Sequence, residues 1–523
     1  MRLDQTSDQW WKNAVVYCLD VETYLDSDDD GIGDFEGLTR QIDYVAGLGV
    51  TCLWLMPFQP TPNRDDGYDV TDHYGVDPRL GTHGDLVELI RTATNRGLRV
   101  IVDLVLNHTS DEHPWFQEAR ADHDSPRRDW YVWRDEPSDE PKGLFFPDRE
   151  TSNWAYDRKA GQYYLHRFYG FQPDLDTANP AVREEIARIM GFWLALGVSG
   201  FRLDAVPALL ETAGLPERVH NDPRTWLREL RAFVNRRRGD AMLLGEVNVG
   251  LEDLAGFFGR DGDLLHMQSA FLLNQHLWLA LARQEAEPLE SIVRSLPPVP
   301  ADCAWATFLR NHDELSLDKL TGPQREEVFA AFAPEERMRL YGHGIRRRVA
   351  PMLDYDGDRL RMAWSLLLSL PGTPVLLYGD EVAMGEDLDR PDRMSVRIGM
   401  DWSSVARQRR DPHSLLNWIE RLIRRRRERP EFGWGRSTLL ETPAAGLFAH
   451  RCDWDDSSVV AVHNLGEEDA EAEIELGEDI VAVDDLLEDR DHDLREGGRL
   501  HVRLGRYGYL WLRPLREGQR VLT

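Results

Sequence analysis

Apolar and polar positions along this chain follow two alternating rhythms. Short, nearly continuous apolar runs occupy residues 14–19, 51–56, 100–106, 200–206, 241–245, 266–271, 304–309 and 373–378. Between several of them apolar residues recur every third or fourth position, as at 38–48, 86–96, 180–196 and 225–236. A run that is apolar on both faces suits a strand covered on both sides, whereas the wider spacing suits an amphipathic helix. Eight such strands alternating with helices predict an α/β fold, a parallel sheet closed into a (β/α)8 TIM barrel.

The rhythm breaks in three places. Residues 109–172 are too many for an ordinary connection and are rich in rings such as Trp115, Trp130, Tyr131 and Tyr164. They predict a small domain inserted after the third strand, with most rings in its own core. A second insertion, 320–354, has helical character. Residues 414–427 form an amphipathic helix with Leu415, Leu416, Ile419, Leu422 and Ile423 on one face, and Arg424 to Arg427 read as its solvated end. Beyond Pro430, short alternating runs at 446–451, 457–463, 470–476, 499–504 and 507–513 are separated by acidic turns. Alternation of this kind predicts an antiparallel β-domain. The expected organisation is a barrel from 1–108 and 173–428, an inserted domain at 109–172 and a C-terminal β-sandwich at 429–523.

Composition narrows the function. A formal net charge of −30 disfavours nucleic acid and anionic membranes as partners. No run reaches the roughly 18 apolar residues of a membrane span. Cys18, Cys52, Cys303 and Cys452 show no metal-ligand spacing and read as reduced, buried thiols. The polar stretch 1–12 lacks the apolar core of a signal peptide, so a cytoplasmic location is expected. Homo-oligomerisation stays open.

The candidate chemistry lies where the runs end. The third ends in Asp103, Asn107 and His108, the fourth in Arg202 and Asp204, the fifth in Glu246, and the seventh in Asn311, His312 and Asp313. In a barrel these C-terminal strand ends share one rim. An Arg beside Asp204 favours its ionised form, and an ionised carboxylate can act as a nucleophile. Three carboxylates on one rim suit glycoside chemistry: one attacks the anomeric carbon, a protonated second donates to the leaving oxygen, and a third braces the charged transition state.

At these residues the chain resembles the alpha-amylase family of glycoside hydrolases, family 13. The motifs are Asp103-Leu104-Val105-Leu106-Asn107-His108, Gly200 to Val206, Gly245-Glu246, and Phe308 to Asp313. Gly31-Ile32-Gly33-Asp34-Phe35, Gln172 to Asp176 and Tyr378-Gly379-Asp380-Glu381 also fit, in the expected order. The resemblance implies Asp204 as nucleophile, Glu246 as general acid/base and Asp313 as transition-state stabiliser, with Arg202, His108 and His312 lining the subsite of the reacting glucose. It also implies that Asp65 pairs with a late arginine, read here as Arg397, to close the pocket behind a non-reducing glucose, with Tyr68 stacked on the sugar. A closed pocket favours small α-glucosides such as maltose, trehalose, sucrose or a short oligosaccharide.

Within the family the chain is most similar to the trehalose synthases, through Leu55-Met56-Pro57-Phe58, Thr109 to Phe116, Thr151-Ser152-Asn153-Trp154 and the 320–354 insertion. That implies intramolecular transfer of glucose between maltose and trehalose in a water-excluding site. One departure is Arg397-Ile398-Gly399-Met400-Asp401-Trp402, where the subfamily pattern is Arg-Thr-Pro-Met-Gln-Trp. Another is the short segment between Trp402 and the helix near Ser414. Both keep an exo-acting alpha-glucosidase as the alternative; a non-catalytic barrel scaffold, which would lack the carboxylates, is remote.

A metal is expected. Asp26, Asp28, Asp30 and Asp34, with the Ile32 carbonyl, supply hard oxygens around Gly31, suited to a structural Ca2+ or else Mg2+. Gly37 stands where an EF-hand would carry its bidentate Glu, so the loop is of another kind. The family resemblance implies a second calcium position at Asn107, Asp174 and Glu211.

Overall fold

The computed structural model describes residues 9–215, 222–488 and 490–519. The expectation drawn from residues 1–12 therefore falls largely outside the described residues. Eight parallel strands close into a barrel: β1 (Val16–Leu19), β2 (Cys52–Leu55), β3 (Arg99–Leu104), β4 (Gly200–Leu203), β5 (Met242–Gly245), β6 (Met267–Ser269), β7 (Ala304–Phe308) and β8 (Thr373–Leu377). Each pairs with its neighbours in sequence, and β1 closes the ring on β8. Nearly every strand residue is buried, because helices cover the outside and side chains fill the inside.

Local signals set where the strands begin. The helix Pro180–Leu196 starts on Asn179, whose side chain accepts from Ala181 N–H, with Pro180 in the first turn. It stops at Gly197, φ 108°, and the chain turns directly into β4. Gly200 opens β4 at φ 154°, and a Cβ there would lie 2.3 Å from the Met242 carbonyl oxygen on β5. The expected helix at 38–48 is two helices, Phe35–Arg40 and Ile42–Gly47. They divide at Gln41, whose N–H bonds back to Leu38 and Thr39 rather than continuing the ladder.

The segment after β3 carries the helix Pro114–Ala121 and a three-stranded antiparallel sheet of Trp133–Arg134, Gln162–Leu165 and Trp154–Asp157. Trp154, Val132 and Leu165 form a small core of their own. The second insertion has the expected helix, Gly322–Phe332, and also two short strands, Arg339–Leu340 and Gly344–Ile345; the second of these lies between the first and Leu315–Ser316 and pairs with both.

The C-terminal part is antiparallel, with five strands in one sheet and three in another. Leu447, Val460 and Val462 face Ile474, Val502 and Leu504 across its core. It is sewn to the barrel at Ser365, whose hydroxyl accepts from Trp511 Nε1 at 3.0 Å and lies 3.0 Å from His463 Nε2. All four cysteines are free and buried. Among the described residues no helix is long and apolar enough to cross a membrane.

Candidate active site

Strand register decides which side chains reach the rim. Asp103 on β3 lies opposite Arg202 on β4, and Leu203 lies opposite Gly245 on β5. Alternation turns Phe201 and Leu203 outward and Arg202 and Asp204 toward the barrel axis. Ala205 then takes a left-handed backbone, φ 44°, and its N–H donates to Glu246 Oε2 at 3.0 Å.

Arg202 is the hub. Its Nη1 donates to Asp204 Oδ1 at 2.5 Å and to Asp103 Oδ1 at 2.9 Å, and its Nη2 pairs with Glu246 Oε2 at 2.7 Å. One guanidinium thus touches both carboxylates expected to act as nucleophile and acid. Burial raises the Asp204 carboxyl to about 6 against the opposing pull of Arg202, and raises Glu246 to about 7. Arg202 favours the ionised form of Asp204, as its place beside that residue led us to expect, but desolvation outweighs the single shared charge and leaves the carboxyl above its ordinary value.

Asp313 is held differently. Arg397 Nη2 donates to its Oδ1 at 2.7 Å, Arg393 Nη1 lies 3.2 Å from the same oxygen, and His312 Nε2 is 3.3 Å from Oδ2. Burial alone would raise this carboxyl, but the charge of Arg393, with those of Arg397 and Arg202, reverses the shift and lowers it. His312 is kept neutral chiefly by burial, and its Nε2 lies 2.6 Å from the Tyr68 hydroxyl, which donates to Asp103 Oδ2 at 3.1 Å. His108, also lowered by burial, meets the Tyr68 carbonyl through Nε2 at 3.0 Å.

The expected pair of Asp65 with Arg397 is not made. Arg397 is 1% exposed and spends its nitrogens on Asp66 Oδ2 at 2.7 Å, the His312 carbonyl at 2.9 Å and Asp313. Asp66 sits at φ 50° before Gly67 at φ 90°, a tight turn that sends consecutive acids in different directions. Asp65 instead accepts from Gln172 Nε2 at 2.8 Å, and burial raises it to about 7 against the charges of Arg393 and Arg397. Sequence reading missed Asp66 because two adjacent acids carry no mark of which one turns inward. It also missed Arg393, which pairs with Glu314 at 2.7 Å and lines the cavity.

These groups line a cavity of about 420 Å3. Asp65, Tyr68 and His108 form one part of its wall, and Asn248, Asp318 and Lys319 another, with Asp204, Glu246 and Asp313 also facing it. The inserted segment contributes Phe145, Phe146 and Phe168. Phe145, still 47% exposed, stacks on Phe168 with ring centroids 4.6 Å apart.

Two metal sets were expected. Asp26, Asp28 and Asp34 bring carboxylate oxygens within 4.8 Å of one another. Asp30 lies outside that group, with Oδ1 accepting from Ile32 N–H at 2.8 Å. Asp28 is raised first by the neighbouring charge of Asp30. In the second set Asn107 donates to Asp174 Oδ1 at 3.1 Å, while Arg167 forms an ion pair with Asp174 and donates to the Glu211 carbonyl at 3.1 Å. The Glu211 side chain turns back to Ala213 N–H at 2.8 Å. Arg167 thus lies on two of the residues expected to hold the second ion.

Comparisons place this geometry among known proteins. The family profile described as "Alpha amylase, catalytic domain" matches residues 21–333, and one described as "Sucrose hydrolase-like, C-terminal domain" matches 457–513. A trehalose synthase of Thermus thermophilus is 42% identical over 87% of this chain and 50% of its own length, so the chain spans half of that relative. The trehalose synthase/amylase TreS of Mycolicibacterium smegmatis is 45% identical over 76% of this chain and 68% of its own length. Among solved structures, the trehalulose synthase MutB of Pseudomonas mesoacidophila MX-45 superposes with a TM-score of 0.76 at 26% identity, covering 96% of this chain and 99% of that one.

Proposed function

Since this chain belongs to the alpha-amylase family, we propose that it is a retaining enzyme of small α-glucosides that interconverts maltose and trehalose through a covalent glucosyl-enzyme. The observation that carries the reading is Arg202 bound at once to Asp204 and Glu246, with Asp313 facing the same cavity. Relatives named trehalose synthase, 38–45% identical over most of this chain, support the substrate class.

The residues divide the work. An Asp204 oxygen attacks the anomeric carbon as the glycosidic C–O bond breaks, and the Glu246 proton goes to the departing oxygen. Glu246, with its carboxyl at about 7, holds that proton near neutrality while Asp204, at about 6, stays mostly ionised. Asp313, kept charged by Arg393 and Arg397, braces the positive charge that grows at the ring. In the second half, Glu246 takes the proton from the anomeric hydroxyl of the freed glucose. That oxygen attacks the glucosyl carbon, and the bond to Asp204 breaks. Water taking the place of the freed glucose would give hydrolysis.

Incubation with maltose, trehalose and sucrose separately tests this. Trehalose from maltose, lost in Asp204→Asn, is the expected result; glucose alone would mark a hydrolase, and no difference between Asp204→Asn and wild type would overturn the catalytic assignment.

We further propose that the loop 26–34 binds a structural Ca2+. Three carboxylates whose oxygens lie within 4.8 Å of one another supply the hard donors such a cation takes, and it would offset their mutual repulsion. The four buried free thiols support a reducing, cytoplasmic setting.

A further inference from the structure

The reaction proposed above sets a problem that the three acids do not solve: the freed glucose must turn over without leaving. A group that holds it has to stay bonded while hydroxyls change places.

Lys319 lines the cavity on the loop after β7. It is one of only four lysines in the chain, so a lysine here is not a compositional accident. Its position is fixed from both ends. The main-chain N–H donates to Gln275 Oε1 at 2.9 Å, and the ammonium lies 2.8 Å from Asp318 Oδ2. Asp318 is itself tied down, because its Oδ1 accepts from Ser316 at 2.9 Å, Gln275 at 3.0 Å and Asn248 at 3.1 Å. Burial raises the Asp318 carboxyl, but Lys319 first, then Asn248 and Ser316, bring it below its ordinary value, so this carboxylate stays charged.

An ammonium has three N–H donors. Among the described residues Asp318 is its one partner, and the side chain keeps 30% of its surface exposed. The arginines near the acids differ: Arg202 is spread over three carboxylates and Arg393 over two. A guanidinium presents a rigid fork, whereas an ammonium on a four-carbon stem rotates its donors freely. Rotating donors can follow the hydroxyls of a sugar that is turning.

We propose that Lys319, anchored by Asp318, is the residue that retains the released glucose in the cavity and so sets the partition between isomerisation and hydrolysis. The ligand it takes is a neutral polyhydroxylated ring. Asp65, Asp204, Glu246, Asp313, Glu314 and Asp318 all line the same cavity, and this excess of acids repels an anionic aglycone. Lys319 makes no bond to the reacting carbon; it acts by holding the acceptor in place. The inference rests on the proposed maltose–trehalose reaction.

The test is the ratio of trehalose to free glucose formed from maltose by wild type, Lys319→Met and Lys319→Arg, each checked for an unchanged melting temperature. Loss of one donor contact to a bound hydroxyl is expected to lower the ratio about tenfold in Lys319→Met, with partial recovery in Lys319→Arg. The same reactions are run with added 13C-glucose, and Lys319→Met should incorporate several times more label into trehalose, because the native glucose escapes. A merely structural role would reduce both products together and leave ratio and labelling as in wild type; that result overturns the proposal. If wild type itself makes no trehalose, the proposed reaction falls, whereas trehalose from wild type with an unaltered ratio in Lys319→Met removes only the role of Lys319.

Discussion

Arg202 makes two acids depend on one cation, and the pH response follows from that. Burial raises both Asp204 and Glu246, to about 6 and about 7. Turnover needs the first ionised and the second protonated. Activity is expected to fall below about 6 as Asp204 takes a proton and above about 7 as Glu246 loses one. The two limbs belong to the pair rather than to single residues. A profile of kcat/KM from pH 5 to 9 checks this in the free enzyme; a flat profile would contradict it, and Glu246→Gln should lose the alkaline limb. The second residue-scale prediction concerns the adjacent acids. Asp66 fixes Arg397, which fixes Asp313, so Asp66→Asn should lower kcat by about tenfold to a hundredfold with KM nearly unchanged. Asp65, on the cavity wall beside Gln172, should instead raise KM when changed to Asn. Equal effects of the two substitutions on both constants would refute the division. Asp204, Glu246 and Asp313 were legible because three acids at strand tips have few structural uses. Asp66 was not, since only the left-handed turn at 66–67 tells it from Asp65. Nor was Arg167, a loop arginine whose partners lie 7 and 44 residues away.

At the scale of elements, apolar runs marked most of the barrel strands, because a strand buried on both faces has no polar side to confuse the pattern; β6, Met267-Gln268-Ser269, is buried with two polar residues among its three. Strands that the pattern passed over are those with open faces. Arg436–Leu439 alternates exposed and half-buried, and Asp493–Arg495 is three residues with two exposed. Their places come from neighbours, Leu447–Trp454 and Arg499–Leu504, and not from their own sequence. The loop before the first helix is an element of another kind. Asp34 caps Phe35–Arg40 through Gly37 N–H and also joins the acid cluster, so the loop and the helix start stand or fall together. With calcium at a hundredfold excess over its Kd, stabilisation is about 2.7 kcal/mol, about 2–3 °C in melting temperature for a chain of this length. EDTA should therefore lower the melt by that amount and Ca2+ restore it better than Mg2+. Identical melts with and without the ion would remove the metal from this loop.

Over the whole molecule the question is whether the C-terminal sheets are an appendage or part of the barrel's support. The seam argues for support. Trp511 is fully buried, its Nε1 donates to Ser365 on the barrel helix Gly357–Ser369, and its ring meets Phe432 edge-on at 5.0 Å. Arg426, 1% exposed, reaches the Leu370 carbonyl at 3.3 Å and also bonds the carbonyls of Leu368 and Gly372, at the entry to β8. The helix carrying Arg426 thus lies between the sheets and the strand that closes the ring, and the arginine run read as a solvated end has one member turned wholly inward. Truncating a buried tryptophan to alanine removes about 3–5 kcal/mol, and here it would also strip Ser365 of a donor. If sheets and barrel unfold as one cooperative unit, Trp511→Ala lowers a single calorimetric transition by about 3–5 °C, and loss of catalysis on heating tracks the same curve. If the sheets are independent, the substitution splits off an early transition while activity survives to the original temperature. The fixed hydrogen bonds at Ser365 favour the first outcome, because they cannot be lost without exposing polar groups buried on the barrel side.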